Sequence, residues 1–82
     1  MKIFVAKLSF NTQDEDLQDL FQEYGEVASA SVIMDKITGR SRGFGFIEMN
    51  NDDEAQKAIA DLHETVLDGR EIVVKKAEPR SR

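Results

Sequence analysis

The sequence contains no cysteine, which limits how its fold can be held together. Disulfide bridges and thiolate metal sites are excluded, so the packing of side chains must stabilise the folded chain. Long apolar runs are absent as well. The first apolar run, residues 3–6, stops at Lys7 and is far too short for a signal-peptide core or a membrane span. We therefore expect a soluble, cytoplasmic protein that does not contact membranes.

Basic residues are in the minority. The 82-residue chain has 11 of them against 16 acidic residues, a formal net charge of −5, which argues against a generic nucleic-acid-binding protein. The distribution is uneven, however, because residues 12–26 and 50–65 together hold eleven acidic residues and only one basic residue, Lys57. The rest of the chain keeps ten basic residues against five acidic ones. A molecule polarised in this way can present a basic surface to a polyanion despite its overall charge.

Two segments have the 3.6-residue periodicity of amphipathic helices. The first begins at a capping box, in which Thr12 is the predicted N-cap and Glu15 reaches back to it, and it ends at Gly25 as the predicted C′ residue. The second follows a cap signal at residues 51–54. The two apolar stripes consist of Leu17, Leu20, Phe21 and Tyr24 and of Ala55, Ala58, Ile59 and Leu62. Because each helix has a single stripe, the pair can cover only one face of a sheet.

Four segments rich in β-branched and aromatic residues are predicted strands: residues 2–8, 27–34, 42–49 and 70–77. A turn-rich basic loop precedes the third strand, and Asp68-Gly69 is a hairpin signal before the fourth. The order βαββαβ predicts an α+β fold of the ferredoxin-like type, a four-stranded antiparallel sheet with two helices on one face. We expect residues 1–78 to form this single domain and residues 79–82 a short basic mobile tail. The other face of the sheet is then open to solvent.

The third predicted strand, RGFGFIEM at residues 42–49, has an unusual distribution of side chains. Alternate side chains of a strand point to opposite faces, so both phenylalanines share a face with the arginine and the glutamate, whereas both glycines share the other face with isoleucine and methionine. A strand phenylalanine usually lies in the core. Here that interpretation would bury two charges, which costs far more than the roughly 1.5–3 kcal/mol recovered per buried phenylalanine. We therefore expect Phe44 and Phe46 to be exposed.

The first predicted strand follows the same logic, because Ile3 and Val5 share one face and Phe4 takes the other. If the first and third strands are neighbours, as the split βαβ order implies, Phe4, Phe44 and Phe46 converge on the open face. An exposed apolar patch on a small protein marks a binding surface. Flat aromatic platforms ringed by cations suit stacked nucleobases and their phosphates.

The sequence resembles the RNA recognition motif family in two places. Residues 42–49 are similar to the family's octamer, K/R-G-F/Y-G/A-F-V-x-F/Y, and residues 3–8 are similar to its companion hexamer on the first strand. Residues 35–42 resemble the family's usual run into the octamer. The resemblance covers about residues 2–77, and it is closest in character to small bacterial single-domain members and plant glycine-rich RNA-binding proteins.

By matching positions, the resemblance implies roles for individual side chains. Phe4 and Phe46 would each stack one base, Phe44 would pack against the sugars between them, and Arg42 would contact phosphate. The same alignment adds to the open face Ser29, Ser31 and Ile33 of the second strand and Val73, Lys75 and Ala77 of the fourth. The basic residues expected around the aromatic face are Lys2, Lys7, Lys36, Arg40, Arg42 and Lys75.

Two positions depart from the family pattern. Met49 replaces the final aromatic residue of the octamer, but this position faces the predicted core, so packing rather than binding is affected. Lys7 stands where the hexamer usually has asparagine or glycine, and its side chain could contact a phosphate.

The sequence offers no constellation for catalysis, a cofactor or a metal. His63 is the only histidine, and without cysteine or a paired serine it predicts neither a zinc site nor a nucleophilic triad. The acidic clusters at residues 14–16 and 52–54 lie at predicted helix N-termini, where the macrodipole favours carboxylates. Residues 43–45 lack the third glycine of a dinucleotide fingerprint. We expect no enzyme activity, cofactor, metal or small-molecule substrate.

The predicted function is therefore the binding of single-stranded RNA by a monomer, in post-transcriptional regulation or RNA chaperoning. Single-stranded DNA stays open as a partner, because the bases of either strand could stack on the same rings. The alternative is a protein-interaction module of the same fold that uses its acidic helices. Any solvated, well-capped helix presents such an acidic face, however, so the aromatic surface favours RNA.

Overall fold

The computed structural model of the chain describes residues 1–77, so the predicted tail at 79–82 lies outside the described residues. Its elements are β1 (Lys2–Ala6), α1 (Asp14–Gln22), β2 (Val27–Met34), β3 (Ser41–Met49), α2 (Asp52–Leu62), β4 (Val66–Leu67), β5 (Arg70–Glu71) and β6 (Val73–Lys76). Four of the strands form one antiparallel sheet in the order β2-β3-β1-β6. The predicted ferredoxin-like α+β fold is confirmed.

The core lies between the helices and one face of this sheet. The period-two pattern of the central strands puts Ile3, Val5 and Ile47 among the buried residues. The helices contribute Leu17 and Phe21 of α1 and three residues of α2 to the same cluster. Since both apolar stripes are used on one sheet face, the opposite face has no covering element within residues 1–77.

Helix α1 begins one residue later than the predicted capping box. Its N-cap is Gln13, whose backbone N–H donates to Oδ2 of Asp16 at 2.8 Å. The expected cap, Thr12, is only 2% exposed, and its Oγ1 donates to Oδ2 of Asp68 at 2.8 Å. The threonine hydroxyl therefore ties the α1 entry to a turn 56 residues away instead of satisfying a helix N–H. The capping box therefore starts at Gln13, one residue after the predicted Thr12, and Asp16 takes the role predicted for Glu15.

Of the other two predicted helix ends, the start of α2 is confirmed and the end of α1 is wrong. Asn51 caps α2 as expected, since its side-chain oxygen accepts the Glu54 N–H at 3.0 Å. Gly25 is not the left-handed C′ residue predicted for α1, because it lacks a positive φ. A Cβ at Gly25 would instead overlap the side chain of Glu54. Glycine is therefore favoured there by the close approach of the Glu54 side chain and not by a left-handed backbone.

The fourth predicted strand, residues 70–77, is divided in the structure. Its first part, β5, pairs with β4 in a separate hairpin whose turn residues, Asp68 and Gly69, have φ of 52° and 82°. These positive values match a hairpin turn of the primed type. Ile72 then turns into the core and is fully buried, and only β6 joins the main sheet beside β1. The predicted turn at Asp68-Gly69 is correct, but the strand that follows it, β5, does not belong to the four-stranded sheet.

Strand β2 forms one outer edge of the main sheet and is irregular. Its pairing with β3 shifts register between Val27 and Ser29 and again between Val32 and Met34. The N–H of Val32 donates to Oδ1 of Asp14, the first residue of α1, at 2.7 Å. The helix start therefore satisfies a backbone donor on the outer strand.

Candidate nucleic-acid interface

The three phenylalanines predicted for the open face form one cluster there. Phe4 of β1 lies directly opposite Phe46 of β3, and Phe44 lies opposite Ala6. The ring centroids are 5.5 Å apart for Phe4–Phe46, 5.7 Å for Phe4–Phe44 and 6.2 Å for Phe44–Phe46. The first two pairs are tilted and the third is edge-to-face, and all three spacings are those of favourable aromatic pairs. Because the rings cover one another, each is half-buried rather than fully exposed. We call these residues the phenylalanine cluster.

The glycines of β3 explain why the aromatic side chains take the open face. Gly45 is buried on the helix-facing side, where an added Cβ would lie 3.2 Å from Cδ1 of Leu17 and 3.1 Å from Cα of Val32. No larger side chain fits at this point without moving α1 or β2. Ile47 and Met49, on the same side, are buried in the core. The alternation that puts glycine inside therefore puts phenylalanine outside.

Two lysines border the cluster, Lys2 of β1 and Lys75 of β6. The Nζ of Lys2 lies 4.7 Å from the centroid of the Phe46 ring, within the range of a cation–π contact. Lys75 is exposed and pairs in register with Phe4. A shallow depression of about 290 Å³ is lined by Phe4, Phe46, Lys75, Lys76 and Ala77. It has the apolar floor and basic rim that stacked bases and their phosphates require.

The remaining predicted residues of the outer strands lie around this cluster. On β2, Ser31 is exposed and pairs with Phe46, while Ser29 is exposed opposite Glu48. Ile33 is half-buried at the second register shift of β2. On the other side, Val73 is half-buried opposite Ala6, and the half-buried Ala77 donates its N–H to the Lys2 carbonyl at 2.9 Å.

Lys7 has a backbone conformation that accounts for the family's preference at its position. Its φ is +59°, the left-handed region that asparagine and glycine tolerate better than other residues. The strand therefore ends at Ala6, one residue before this bend. The Lys7 side chain is exposed and lines a depression beside Phe4 and Phe44.

The basic loop between β2 and β3 is organised by Asp35. Its Oδ1 accepts the N–H groups of Ile37 at 2.8 Å and Thr38 at 3.1 Å. Hydrogen bonds from the backbone of Thr38 and then of Ile37 lower the pKa of Asp35, with a smaller contribution from the charge of Arg42. A backbone bond from the Asp35 N–H to the Arg40 carbonyl, 2.7 Å, closes the loop. Arg40 and Arg42 both stay exposed at its end, as does Lys36 within it.

The sequence analysis did not select two residues that line the same surface. Phe10, in the loop after β1, is 68% exposed, and it lines one depression with Phe4 and Phe44 and another with Arg40 and Arg42. Arg70 of β5 lines the first of these depressions. An aromatic residue among turn-forming neighbours, Ser9 to Asn11, is a signal that could have identified Phe10. Arg70 could not have been placed, because the hairpin was predicted as part of the sheet.

The cations around the site have no carboxylate partner among residues 1–77. Within this range the N-terminal ammonium lies 3.4 Å from an Asp52 carboxylate oxygen, and the His63 imidazole lies 3.9 Å from a Glu64 carboxylate oxygen. Over the same range, no three acidic or histidine side chains come together as a metal site. None of the helices described is long and apolar enough to cross a membrane.

Comparisons with known proteins agree with this geometry. The family model for the RNA recognition motif matches residues 3–73. The chain is 48% identical over 81 residues to a 31 kDa chloroplastic ribonucleoprotein of Nicotiana sylvestris, covering 99% of this chain and 26% of that protein. It is 46% identical over 80 residues to the mitochondrial glycine-rich RNA-binding protein 4 of Arabidopsis thaliana, covering 98% and 59%. The chain thus spans about a quarter to three-fifths of the length of these relatives.

Solved structures give the same assignment. The crystal structure of RNA-binding protein PG1 superposes with a TM-score of 0.93 at 46% identity, covering 100% of this chain and 99% of the other. The Sex-lethal protein in complex with RNA superposes with a TM-score of 0.86 at 32% identity, covering 93% and 47%.

These findings also correct one expectation. The predicted cytoplasmic location is wrong by this comparison, because the relatives described above are chloroplastic or mitochondrial proteins. Composition carried no information on this point, because proteins without membrane-spanning segments occur in all of these compartments. The expectation that the chain is not an enzyme agrees with the names of the relatives, which are ribonucleoproteins and RNA-binding proteins. The matched motifs, the fold and the relatives together show that the chain belongs to the RNA recognition motif family.

Proposed function

We propose that this chain binds single-stranded RNA on the open face of its four-stranded sheet. The observation that carries the proposal is the phenylalanine cluster, three rings within 6.2 Å of one another on a face that no described element covers. The complex of Sex-lethal with RNA and the names of the relatives support it. In this proposal residues 1–78 form the binding domain, and one copy of the chain binds one segment of RNA.

We propose the division of roles that the resemblance to the family implies. Phe4 and Phe46 each stack one base, and Phe44 packs against the sugars between them. The rings are tilted by 52° for Phe4–Phe46, so two bases stacked on them are splayed rather than stacked on each other. Phosphates are met by basic residues on the rim, and apolar contacts come from the ends of the outer strands. These peripheral residues are Lys2, Lys7, Arg40, Arg42, Lys75, Ile33 and Ala77.

The Lys2 ammonium over Phe46 adds a step to binding. A base that stacks on the outer side of Phe46 must displace this cation or share the ring with it. The flexible lysine can move its charge to a neighbouring phosphate at little cost. RNA therefore replaces a cation–π contact by base stacking and a charge-assisted hydrogen bond.

A titration followed by amide chemical shifts tests the proposal against the protein-binding alternative. With a short single-stranded RNA, the amides of β1, β3 and β6 should shift while those on the outer sides of α1 and α2 stay unchanged. A parallel titration with single-stranded DNA of the same sequence measures the preference for RNA. Shifts confined to the helices, or no shifts with RNA, would contradict the proposal. A role in post-transcriptional regulation or RNA chaperoning is proposed on the same basis, and crosslinking in the source cell would identify the RNAs concerned.

A further inference from the structure

The hydrogen bond between Thr12 and Asp68 joins two loops that border the open face of the sheet. Thr12 lies in the connection from β1 to α1, and Asp68 lies in the turn between β4 and β5. The threonine Oγ1 donates to Oδ2 of the aspartate at 2.8 Å. Thr12 is buried, and a buried hydroxyl that loses its partner costs free energy. The bond therefore holds the two loops together.

The β4–β5 hairpin needs such a restraint at its tip. Its strands have two residues each and lie outside the four-stranded sheet, and a two-stranded hairpin is at best marginally stable by itself. Its base is fixed to the rest of the chain, because the N–H of the buried Ile72 donates to the Thr65 carbonyl at 2.8 Å. The tip is joined to the β1–α1 connection by the side chains of Thr12 and Asp68.

Arg70 makes the position of this hairpin important for the site. It follows Asp68 by two residues, is exposed, and lines the depression that contains Phe4 and Phe44. The other residues that line this depression come from β1, the connection after it, and β3. An arginine binds a phosphate through directional hydrogen bonds from a planar guanidinium group. Its contribution therefore depends on where the hairpin places the start of the side chain.

We infer that Thr12 is a positioning residue for RNA binding, which acts through Asp68 to hold Arg70 beside the phenylalanine cluster. The inference rests on the proposed binding of RNA to the open face. Thr12 is itself buried and does not contact the strand. The bond orders the hairpin before RNA arrives, so that the cost of ordering is not subtracted from the binding free energy. Without the bond the hairpin moves, and Arg70 meets a phosphate only part of the time.

Substitutions of Thr12 that differ in one hydroxyl group test the inference. Thr12→Val keeps the β-branched shape but removes the donor, whereas Thr12→Ser keeps the donor. Fluorescence anisotropy with a labelled RNA octanucleotide of random sequence would give the affinity and its salt dependence. Arg70→Gln should reduce the salt slope by about 0.7, the share of one phosphate contact, and weaken binding roughly fivefold at low salt. Thr12→Val should cause most of both losses, and Thr12→Ser should bind like the wild type.

A double variant and a matched control separate positioning from a general loss of stability. The losses of Thr12→Val and Arg70→Gln should not add when combined, because Thr12 acts through Arg70. In the control, Thr65→Val, the lost hydroxyl donates to the Leu62 carbonyl at 2.6 Å, at the base of the hairpin. Below the Tm of every variant, this control should keep the wild-type salt slope. NMR relaxation should show a more mobile Gly69 amide in Thr12→Val only.

The same bond can be broken from its exposed side, which keeps the test valid if Thr12→Val does not fold. Asp68→Gly removes the acceptor, whereas Asp68→Asn keeps an acceptor oxygen. Both variants lose the negative charge, and both residues tolerate the φ of 52° at this position. Asp68→Gly should therefore have a smaller salt slope and a weaker affinity than Asp68→Asn.

The possible failures are distinguishable. If the wild-type chain does not bind the octanucleotide, the proposed function is wrong and this inference falls with it. If the wild-type chain binds but Arg70→Gln, or both Thr12→Val and Asp68→Gly, keep its salt slope, the positioning role alone is overturned. Additive losses in the double variant, or an equal loss of slope in Thr65→Val, would also overturn it, because Thr12 would then act on stability and not through Arg70.

Discussion

Lys7 occupies a position whose left-handed backbone conformation is unfavourable for lysine. A lysine at φ +59° has a conformation that costs about 1–2 kcal/mol for a residue with a Cβ, yet it places a cation beside Phe4 and Phe44. In the proposed site, stability and RNA binding therefore make opposite demands at this position.

The substitution Lys7→Asn separates these demands. We expect it to raise the free energy of unfolding by about 0.5–1 kcal/mol, since asparagine tolerates the left-handed region, and to weaken RNA binding at low salt by removing a charge. Thermal or denaturant unfolding and an RNA titration measure the two effects. Lys36→Asn is the matched control, because it removes an exposed lysine whose φ is not positive. Equal stabilities of the two variants would show that the Lys7 backbone is not strained.

The two sides of β3 predict opposite results for two neighbouring substitutions. Phe46→Ala should cost about 1–3 kcal/mol of RNA affinity through the lost stacking platform. Its half-buried ring contacts Phe4 and Lys2, so the loss of stability should be about 1–2 kcal/mol. Met49→Ala should cost about 2–5 kcal/mol of stability, because Met49 is fully buried and its removal leaves a cavity.

Thermal melts and RNA titrations on both variants test this assignment. Where Met49→Ala is folded, its RNA affinity should be close to that of the wild type. Phe46→Leu is a useful control, because it keeps apolar contact area but removes the flat face. If Phe46→Ala unfolds the chain while Met49→Ala changes nothing, the two sides of the strand have been assigned in reverse.

At the scale of elements, the β2–β3 loop depends on the ionised form of one carboxylate. The Thr38 and Ile37 N–H groups stabilise the Asp35 carboxylate and lower its pKa. A carboxyl group with a lowered pKa in the folded state contributes stability above its ordinary unfolded pKa, and this contribution is lost as the pH falls through the folded value. The loop that carries Arg40 should therefore loosen only in acid.

The pH dependence can be followed at the donors themselves. As the pH falls from neutral, the amide shifts of Ile37 and Thr38 should move together, with a midpoint below the ordinary range of an aspartate. Asp35→Asn keeps an oxygen acceptor but cannot titrate there, so its amides should show no such step. A midpoint at or above the ordinary aspartate value would contradict the proposed hydrogen-bonded carboxylate.

Elements also show what the sequence could and could not predict. The orientation of β3 could be predicted, because an arginine and a glutamate cannot be buried alongside its phenylalanines at acceptable cost. The N-cap of α1 could not, because the partner that occupies Thr12 is Asp68, 56 residues away. The division of residues 70–77 was missed for a similar reason, since the burial of Ile72 depends on the helices packed over it. The position of Arg70 beside the aromatic face was missed with it, since β5 pairs with β4 outside the main sheet.

At the scale of the whole molecule, the separation of charge should appear in the salt dependence of binding. The helical side is acidic, and the cations lie around the sheet, but only about two to four of them can meet phosphates of one short strand at once. With a slope near −0.7 per contact, the logarithm of the affinity should fall by about 1.4–2.8 per tenfold rise in salt. Titrations over a range of salt concentrations measure the slope. An affinity that does not respond to salt would mean that stacking acts without phosphate contacts.

The hydrogen bond from Val32 to Asp14 has a consequence for association between copies of the chain. An outer strand with free backbone donors can template the addition of a strand from another molecule and so begin aggregation. The Asp14 carboxylate occupies one such donor at 2.7 Å, and the two register shifts of β2 make its edge uneven. Asp14→Ala should scatter light sooner on heating than Asp53→Ala, which removes a similar exposed helix-start acid without a hydrogen bond to a strand.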